Sequence, residues 1–246
     1  MLIRLISNAG LYIEGAGNRL IIDGLYGSAP GGFSGVPLEW EERLGDEGFR
    51  ENITGVLVSH YHLDHYNVNR LKAFAKGAGD AVYVLPEDRQ MVKRLPDLKD
   101  LRLIDTTKGL KTVIELAGGD KITGFAINHS GKSYRSIMVV CYIIEMDNRR
   151  ILVLSDADFD PKYLGEMAGE RHYDAVFCNP LFLDIPGGRE AVLEVINTGL
   201  VCVYHVPFEE DDIYGIRGMA EQGKKLYNNG ERKIVLFDKK DFTIEI

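Results

Sequence analysis

The chain has 246 residues, 45% of them hydrophobic and 27% charged, with 29 basic against 37 acidic side chains for a net charge of −8. A folded monomer of this size hides about 70% of its extended-chain surface, exposing roughly 11,000 Å², so its core needs no disulfide or metal. Fibrous and disordered classes are excluded. So is a membrane protein, because the longest apolar run, Ile137 to Ile144, falls far short of a bilayer span. The acidic balance argues against nucleic acid as a partner, since phosphates are repelled.

In chain order, LIRLIS, LYIEG and RLIID fall within the first 23 residues, separated by Asn8-Ala9-Gly10 and Ala16-Gly17-Asn18. Alternation and turn residues predict an antiparallel start. Residues 24–50 crowd glycine with Pro30 and Pro37, and carry Tyr26, Phe33 and Trp40. A long loop packed by its own aromatics is expected there, with a short helix over 38–44. Strand and helix then alternate: GVLVS, a helix over 67–78, AVYVL, a helix from Pro86 to Leu95-Pro96, and LRLID. KTVIELA, KITGFAI and SIMVVCYIIEM read as three longer strands, and RILVLS follows the turn at Asp147 to Arg150. Pro161 opens a helix to about Met167, where a first-turn proline fits. DAVFCN, LVCVYHV and KIVLF are strands with helices near 189–197 and 213–228 between them, and DFTIEI closes as an edge strand. Glu209, Glu210, Asp211 and Asp212 are expected to cap and start the last helix.

Antiparallel runs precede strand–helix units in each half. That order predicts one α/β domain over 1–246, with two packed sheets and helices outside. Cys141, Cys178 and Cys202 lie singly in strand-like segments, which reads as buried thiols in a reducing compartment, the cytoplasm. The N-terminal MLIRLISNAGLYIEG has no basic leader, apolar block and cleavage site, and reads as mature protein.

The chemistry concentrates in SHYHLDHYN, residues 59–67, directly after GVLVS. His60, His62, Asp64 and His65 fall within six positions. Imidazole and carboxylate suit zinc, iron or manganese. Two imidazoles two residues apart in an extended loop can converge on one ion, while Asp64 and His65 turn toward a neighbouring ion. A polar surface turn with Asp64 as a helix cap is the bland alternative; three histidines behind a buried strand weigh against it. His129, Asp156 and His205 each follow an apolar run, after KITGFAIN, ILVLS and LVCVY. Singly each reads as a hydrogen-bonded strand end; together they complete a ligand inventory. His172, in GERHYDAV, reads as a surface turn.

These residues resemble the metallo-beta-lactamase superfamily. The H-x-H-x-D-H motif stands intact as His60 to His65, and His129, Asp156 and His205 match the further ligands. The resemblance runs from Asp23, which fits the family's early aspartate, to the closing strand. It implies a four-layer αβ/βα sandwich of two mixed β-sheets with helices on both outer faces. It implies two divalent metal ions, zinc with manganese or iron as alternatives. His60, His62 and His129 would hold the first, Asp64, His65 and His205 the second, and Asp156 would bridge them. Asp64 and Asp156 are the carboxylates expected to serve catalysis, with Asp23 supporting a ligand histidine. Asp158 rivals Asp156, and Ser155 stands where the family has glycine.

The resemblance further implies a metal-dependent hydrolase. A hydroxide between the ions would cleave a small ester, lactone or amide. The alternatives are a phosphodiesterase with the same site and a mononuclear iron oxygenase of the same fold. Lys132 and Arg135, in SGKSYRS, would meet an anionic small-molecule substrate, or else lie on a solvated loop. Tyr61 is a candidate donor to a transition-state oxygen, against plain strand-end packing. Residues 24–50 would fold over the metals, with Tyr26, Phe33 or Trp40 lining the pocket, or form an interface of a homo-oligomer.

Overall fold

The computed structural model describes residues 1–246 apart from 16, 30, 79 and 96. Ala16, Pro30 and Pro96, which enter the expected 16–18 turn, the 24–50 loop and the 86–96 helix, therefore lie outside the described residues. The exposed surface is 11,040 Å², close to the figure chain length predicts.

β1 (Leu2–Leu5), β2 (Leu11–Gly15) and β3 (Asn18–Ile22) form the antiparallel start. β3 then pairs in parallel with β4 (Gly55–Leu57), β4 with β5 (Val82–Pro86) and β5 with β6 (Asp100–Ile104). Parallel neighbours need crossovers. Here these are α1 (Leu38–Gly45) with α2 (Glu47–Glu51), then α3 (Val68–Ala75), then α4 (Arg89–Val92). The second sheet repeats the plan. β7 (Lys111–Glu115), β8 (Lys121–Asn128), β9 (Met138–Met146) and β10 (Arg149–Val153) are antiparallel. β11 (Ala175–Cys178), β12 (Leu200–Val203) and β13 (Lys233–Leu236) follow in parallel. Their crossovers contain α5 (Pro161–Ala168), α6 (Leu181–Asp184), α7 (Pro186–Glu190) and α8 (Ile216–Tyr227). β14 (Thr243–Glu245) returns to the outer edge of the first sheet beside β1, giving two mixed seven-stranded sheets.

Three apolar layers hold this α/β architecture. Between the sheets lie Ile3, Leu11, Ile22, Tyr142, Phe177 and Tyr204 with their neighbours. Leu71, Phe74, Met91 and Trp40 pack helices on the first sheet, and Leu164, Phe182, Val192 and Ala220 pack them on the second. The three cysteines are free and buried, and burial pushes their thiols up. No described helix is long and apolar enough to cross a membrane.

Several helix boundaries differ from expectation because caps decided them. The helix expected from Pro86 shrinks to α4, since Pro86 ends β5 and Asp88 accepts from Gln90 N at 2.7 Å as the N-cap. α3 starts where Asn67 accepts from Asn69 N at 2.9 Å. The acidic run before α8 makes a separate 3-10 turn over Glu209–Asp211. Gly215 is the N-cap of α8, and of the acidic run Asp212 serves its first turn, accepting from Ile216 N at 2.9 Å and Arg217 N at 3.0 Å. The helix near 189–197 is α7 continued by a π-helical turn, Ala191–Val195.

Candidate metal centre

Every residue of the site follows the C-terminal end of a strand, and β4, β10 and β12 each have a parallel neighbour, so their ends share one rim where the chain passes into loops. His60, His62, Asp64 and His65 follow β4, His129 follows β8, Asp156 follows β10 and His205 follows β12. The fold brings them into two groups. His60, His62, His129 and Asp156 offer ligand atoms within 4.8 Å of one another, as do Asp64, His65 and His205.

The contacts inside the groups are short. His62 Nδ1 lies 3.0 Å from His60 Nε2 and 3.1 Å from His129 Nε2. His65 Nε2 lies 3.1 Å from His205 Nε2, which lies 3.3 Å from Asp64 Oδ2. Asp156 faces both groups: Oδ2 is 3.4 Å from His129 Nε2 and 3.2 Å from His65 Nε2, and Oδ1 is 3.6 Å from His205 Nε2. Metal–nitrogen bonds of about 2.0–2.1 Å at tetrahedral angles separate ligand atoms by roughly 3.3 Å, so the spacing fits ions within each group.

The outer nitrogens make the same case. Ser59 N donates to Asp23 Oδ1 at 2.7 Å and Ser59 Oγ donates to Asp23 Oδ2 at 2.6 Å. With its proton committed, Ser59 Oγ accepts from His60 Nδ1 at 2.9 Å. His65 Nδ1 donates to Asp23 Oδ2 at 2.9 Å, and His129 Nδ1 to Ser130 O at 2.5 Å. An imidazole that donates outward turns a lone pair inward. The inner nitrogens of His60, His65 and His129 then face Asp156 and their neighbours, an arrangement that cations held in the two groups would favour.

The same packing shifts the titration of these groups, and without metal it divides the histidines. Burial lowers His60 well below the ordinary histidine range, and burial with nearby His129 and His65 brings His62 to about 4. Burial also pulls on His65 and His205, yet carboxylates outweigh it and raise both: Asp64, Asp23 and Asp156 at His65, Asp156 and Asp64 at His205. Burial would raise Asp64 and Asp156. Histidines outweigh it, bringing Asp64 to about 2 and Asp156 well below the carboxylate range.

The other anticipated residues separate. Asp23 is buried beneath His65. Asp158 is absent from both groups; its Oδ1 accepts from Phe159 N at 3.0 Å and its N donates to Asn128 O. Ser155 takes φ 51°, the left-handed region that favours glycine, and its Oγ donates to Ser59 Oγ at 2.9 Å. Lys132 and Arg135 are exposed at a 3-10 turn over Lys132–Tyr134. Tyr61 stands edge-on to His62, ring centres 5.8 Å apart, but lines a separate cavity with Tyr66 and Arg94. His172 is exposed and outside both groups.

Three contributors escaped the sequence. Buried Asn8, between β1 and β2, contacts His205 Nδ1 at 3.1 Å. Asn179, after β11, donates to Asp156 Oδ1 at 3.1 Å and to Ser155 O at 3.2 Å. Tyr134 stands 5.1 Å from the His62 ring and 5.2 Å from that of His129. Asn179 carried a signal, a polar residue ending the apolar run DAVFC; Asn8 looked like an ordinary turn residue. A cavity of about 290 Å³ opens over His129, Asp156 and His205, walled by Phe33, Tyr134, Leu181, Ile216 and Met219 among others. Of the aromatics in 24–50 named above, Phe33 alone reaches it, 5.3 Å from the His205 ring and edge-on. Trp40 is buried against Tyr12 and Phe49, and the Tyr26 hydroxyl donates to Ser34 O.

Neither a known family's sequence profile nor a curated protein matches this chain. Solved structures do. A possible metal-dependent hydrolase from Veillonella parvula DSM 2008 aligns with a TM-score of 0.72 at 14% identity, over 100% of this chain and 99% of that one. The metallo-beta-lactamase fold protein YhfI from Bacillus subtilis aligns at 0.64 and 14% identity, over 99% of each. A variant of CmlA, a diiron beta-hydroxylase from Streptomyces venezuelae, aligns at 0.70 and 14% identity over 100% of this chain. This chain spans 54% of that protein's length. At these identities the likeness is one of fold.

Proposed function

The chain has the metallo-beta-lactamase fold, and from that premise we propose that it is a metal-dependent hydrolase of a small ester, lactone or amide. The observation that carries the reading is the position of Asp156, whose carboxylate faces both ligand groups. Two divalent cations, zinc in this reading, would lower the pKa of a water held between them to near neutrality and polarise the substrate's carbonyl.

The chain's own part is positioning. His60, His62 and His129 would hold one ion and Asp64, His65 and His205 the other, with Asp156 facing both groups. Asp23 and Ser59 orient His60 and His65, while Asn179 holds Asp156 from behind. Water's oxygen bonds to the acyl carbon and the C–O or C–N bond breaks. The proton released ends on the leaving atom. A phosphodiester fits less well, since among the described residues no lysine or arginine lines the cavity. The likeness to CmlA favours one further reading, an iron oxygenase on the same ligands. It requires oxygen consumption and no turnover under nitrogen.

Elemental analysis of protein purified without chelator should give about two metals per chain. A reproducible value near one after supplementation overturns the dinuclear reading. His62→Ala and His205→Ala should lose different ions; loss of the same ion in both means the partition is wrong.

A further inference from the structure

The cavity over the clustered histidines is chemically lopsided. Its polar side is His129, Asp156 and His205 with Ser130 and Asn179, and much of the rest is hydrocarbon: Phe33, Pro180, Leu181, Ile216 and Met219, with the Tyr134 ring beside His129. Apolar surface continues outside it. Ile213 and Tyr214 are 69% and 66% exposed and lie against Gly32, next to Phe33. The nearby cations Lys132 and Arg135 are exposed to solvent and do not line the cavity.

A charged group held against the apolar wall, away from the histidines, would lose its water and find no basic side chain there. A hydrocarbon group loses nothing and gains by leaving water. Polar groups on one side with an apolar wall also define an orientation, since only the reacting carbonyl has reason to face the histidines. Resting on the hydrolase reading, we propose that this cavity takes the uncharged hydrocarbon part of the substrate. The substrate class is then a neutral ester, lactone or amide with an alkyl or aryl acyl group. An anionic compound that Lys132 and Arg135 would hold is not of this class. The volume, about 290 Å³, is at the lower end for small-molecule sites, so the benefit of chain length must saturate.

The test separates binding from turnover. Calorimetric titration of the metal-loaded protein with unhydrolysable 2-ketones, from 2-butanone to 2-decanone, should show affinity rising about fourfold per methylene, the equivalent of ~0.8 kcal/mol, then levelling. Keto acids of equal length, with a carboxylate at the far end, should bind at least about 100-fold more weakly. Met219→Lys should reverse that order by placing a cation in the wall. Leu181→Glu, at a position already 36% exposed, should weaken ketone binding and provides a second variant if the first does not fold. For p-nitrophenyl esters, kcat/KM should climb with acyl length in parallel. Ketone affinity independent of length, or keto acids preferred by the wild type, overturns the proposal. Ketones bound as described, with no ester, lactone or amide hydrolysed, would uphold the apolar site and remove the hydrolase reading instead.

Discussion

Asp156 is the residue on which the centre turns. It is held from behind by Asn179 at 3.1 Å and faces His129, His65 and His205 in front. Asp156→Asn keeps the size and removes the charge. Cations at the two groups would then repel more strongly. The second ion should be lost first and turnover should fall at least roughly 100-fold. Asp158→Asn should do little, because that carboxylate serves its own loop at Phe159 N. Paired metal content and turnover decide; the reverse pattern would move the bridge to Asp158. Asn8 offers a second test. As placed, its Nδ2 meets His205 Nδ1 while its Oδ1 is buried without a partner. Turning the amide over presents the oxygen to an Nδ1–H and leaves His205 Nε2 free to ligate. Asn8→Ala should weaken the second metal about 10–100-fold, read by competition with a chromophoric chelator. Unchanged affinity would make Asn8 a packing residue only.

At the scale of elements, strand ends build the site and loops shape access to it. Asp23, Ser155 and His205 all leave their strands with positive φ, 48°, 51° and 59°, a conformation that costs non-glycine residues about 1–2 kcal/mol each. The surrounding hydrogen bonds hold them there, and the turn aims the side chains at the rim. The 24–37 stretch contributes Phe33 to the cavity, and Ser34 Oγ accepts from Phe208 N at 2.7 Å. Phe33→Ala should lower kcat/KM for the best substrate more than for small activated esters. Equal losses on both, with metal content intact, would end its selectivity role. Trp40→Ala behaves differently, because Trp40 is 2% exposed in the helix-facing core. It should cost about 3–5 kcal/mol of stability, measured by urea unfolding, with metal content unchanged in the folded protein.

The whole molecule has the same plan twice: an antiparallel run feeding parallel strands, with the two halves closing on one inter-sheet core. That core is built from apolar side chains, so the fold is expected to stand without metal. Chelated protein should keep its far-UV circular dichroism and a cooperative transition. Its Tm should drop by roughly 5–11 °C per site when free metal had stood about 100-fold above Kd. Collapse of the dichroism on chelation would show that the site helps hold the sheets together.

How much was legible in the sequence follows from range. Strands written as apolar runs, the motif from His60 to His65 and the strand-end placing of His129, Asp156 and His205 are local patterns, and local patterns survive in a linear text. Helix ends were less legible, because first-turn acceptors such as Asp88 and Asp212 compete with equally polar neighbours. Three things were decided only in three dimensions. Asp156 faces both groups and Asp158 neither because the left-handed turn at Ser155 sets the direction of the side chain that follows. Asn8 meets His205 across 197 positions, a contact made by the packing of two sheets and by nothing near either residue. The cavity wall gathers Phe33, Tyr134, Leu181 and Met219 from four separate segments. Its apolar character is a property of their assembly, whereas Lys132 and Arg135, which the sequence set beside the site, are exposed.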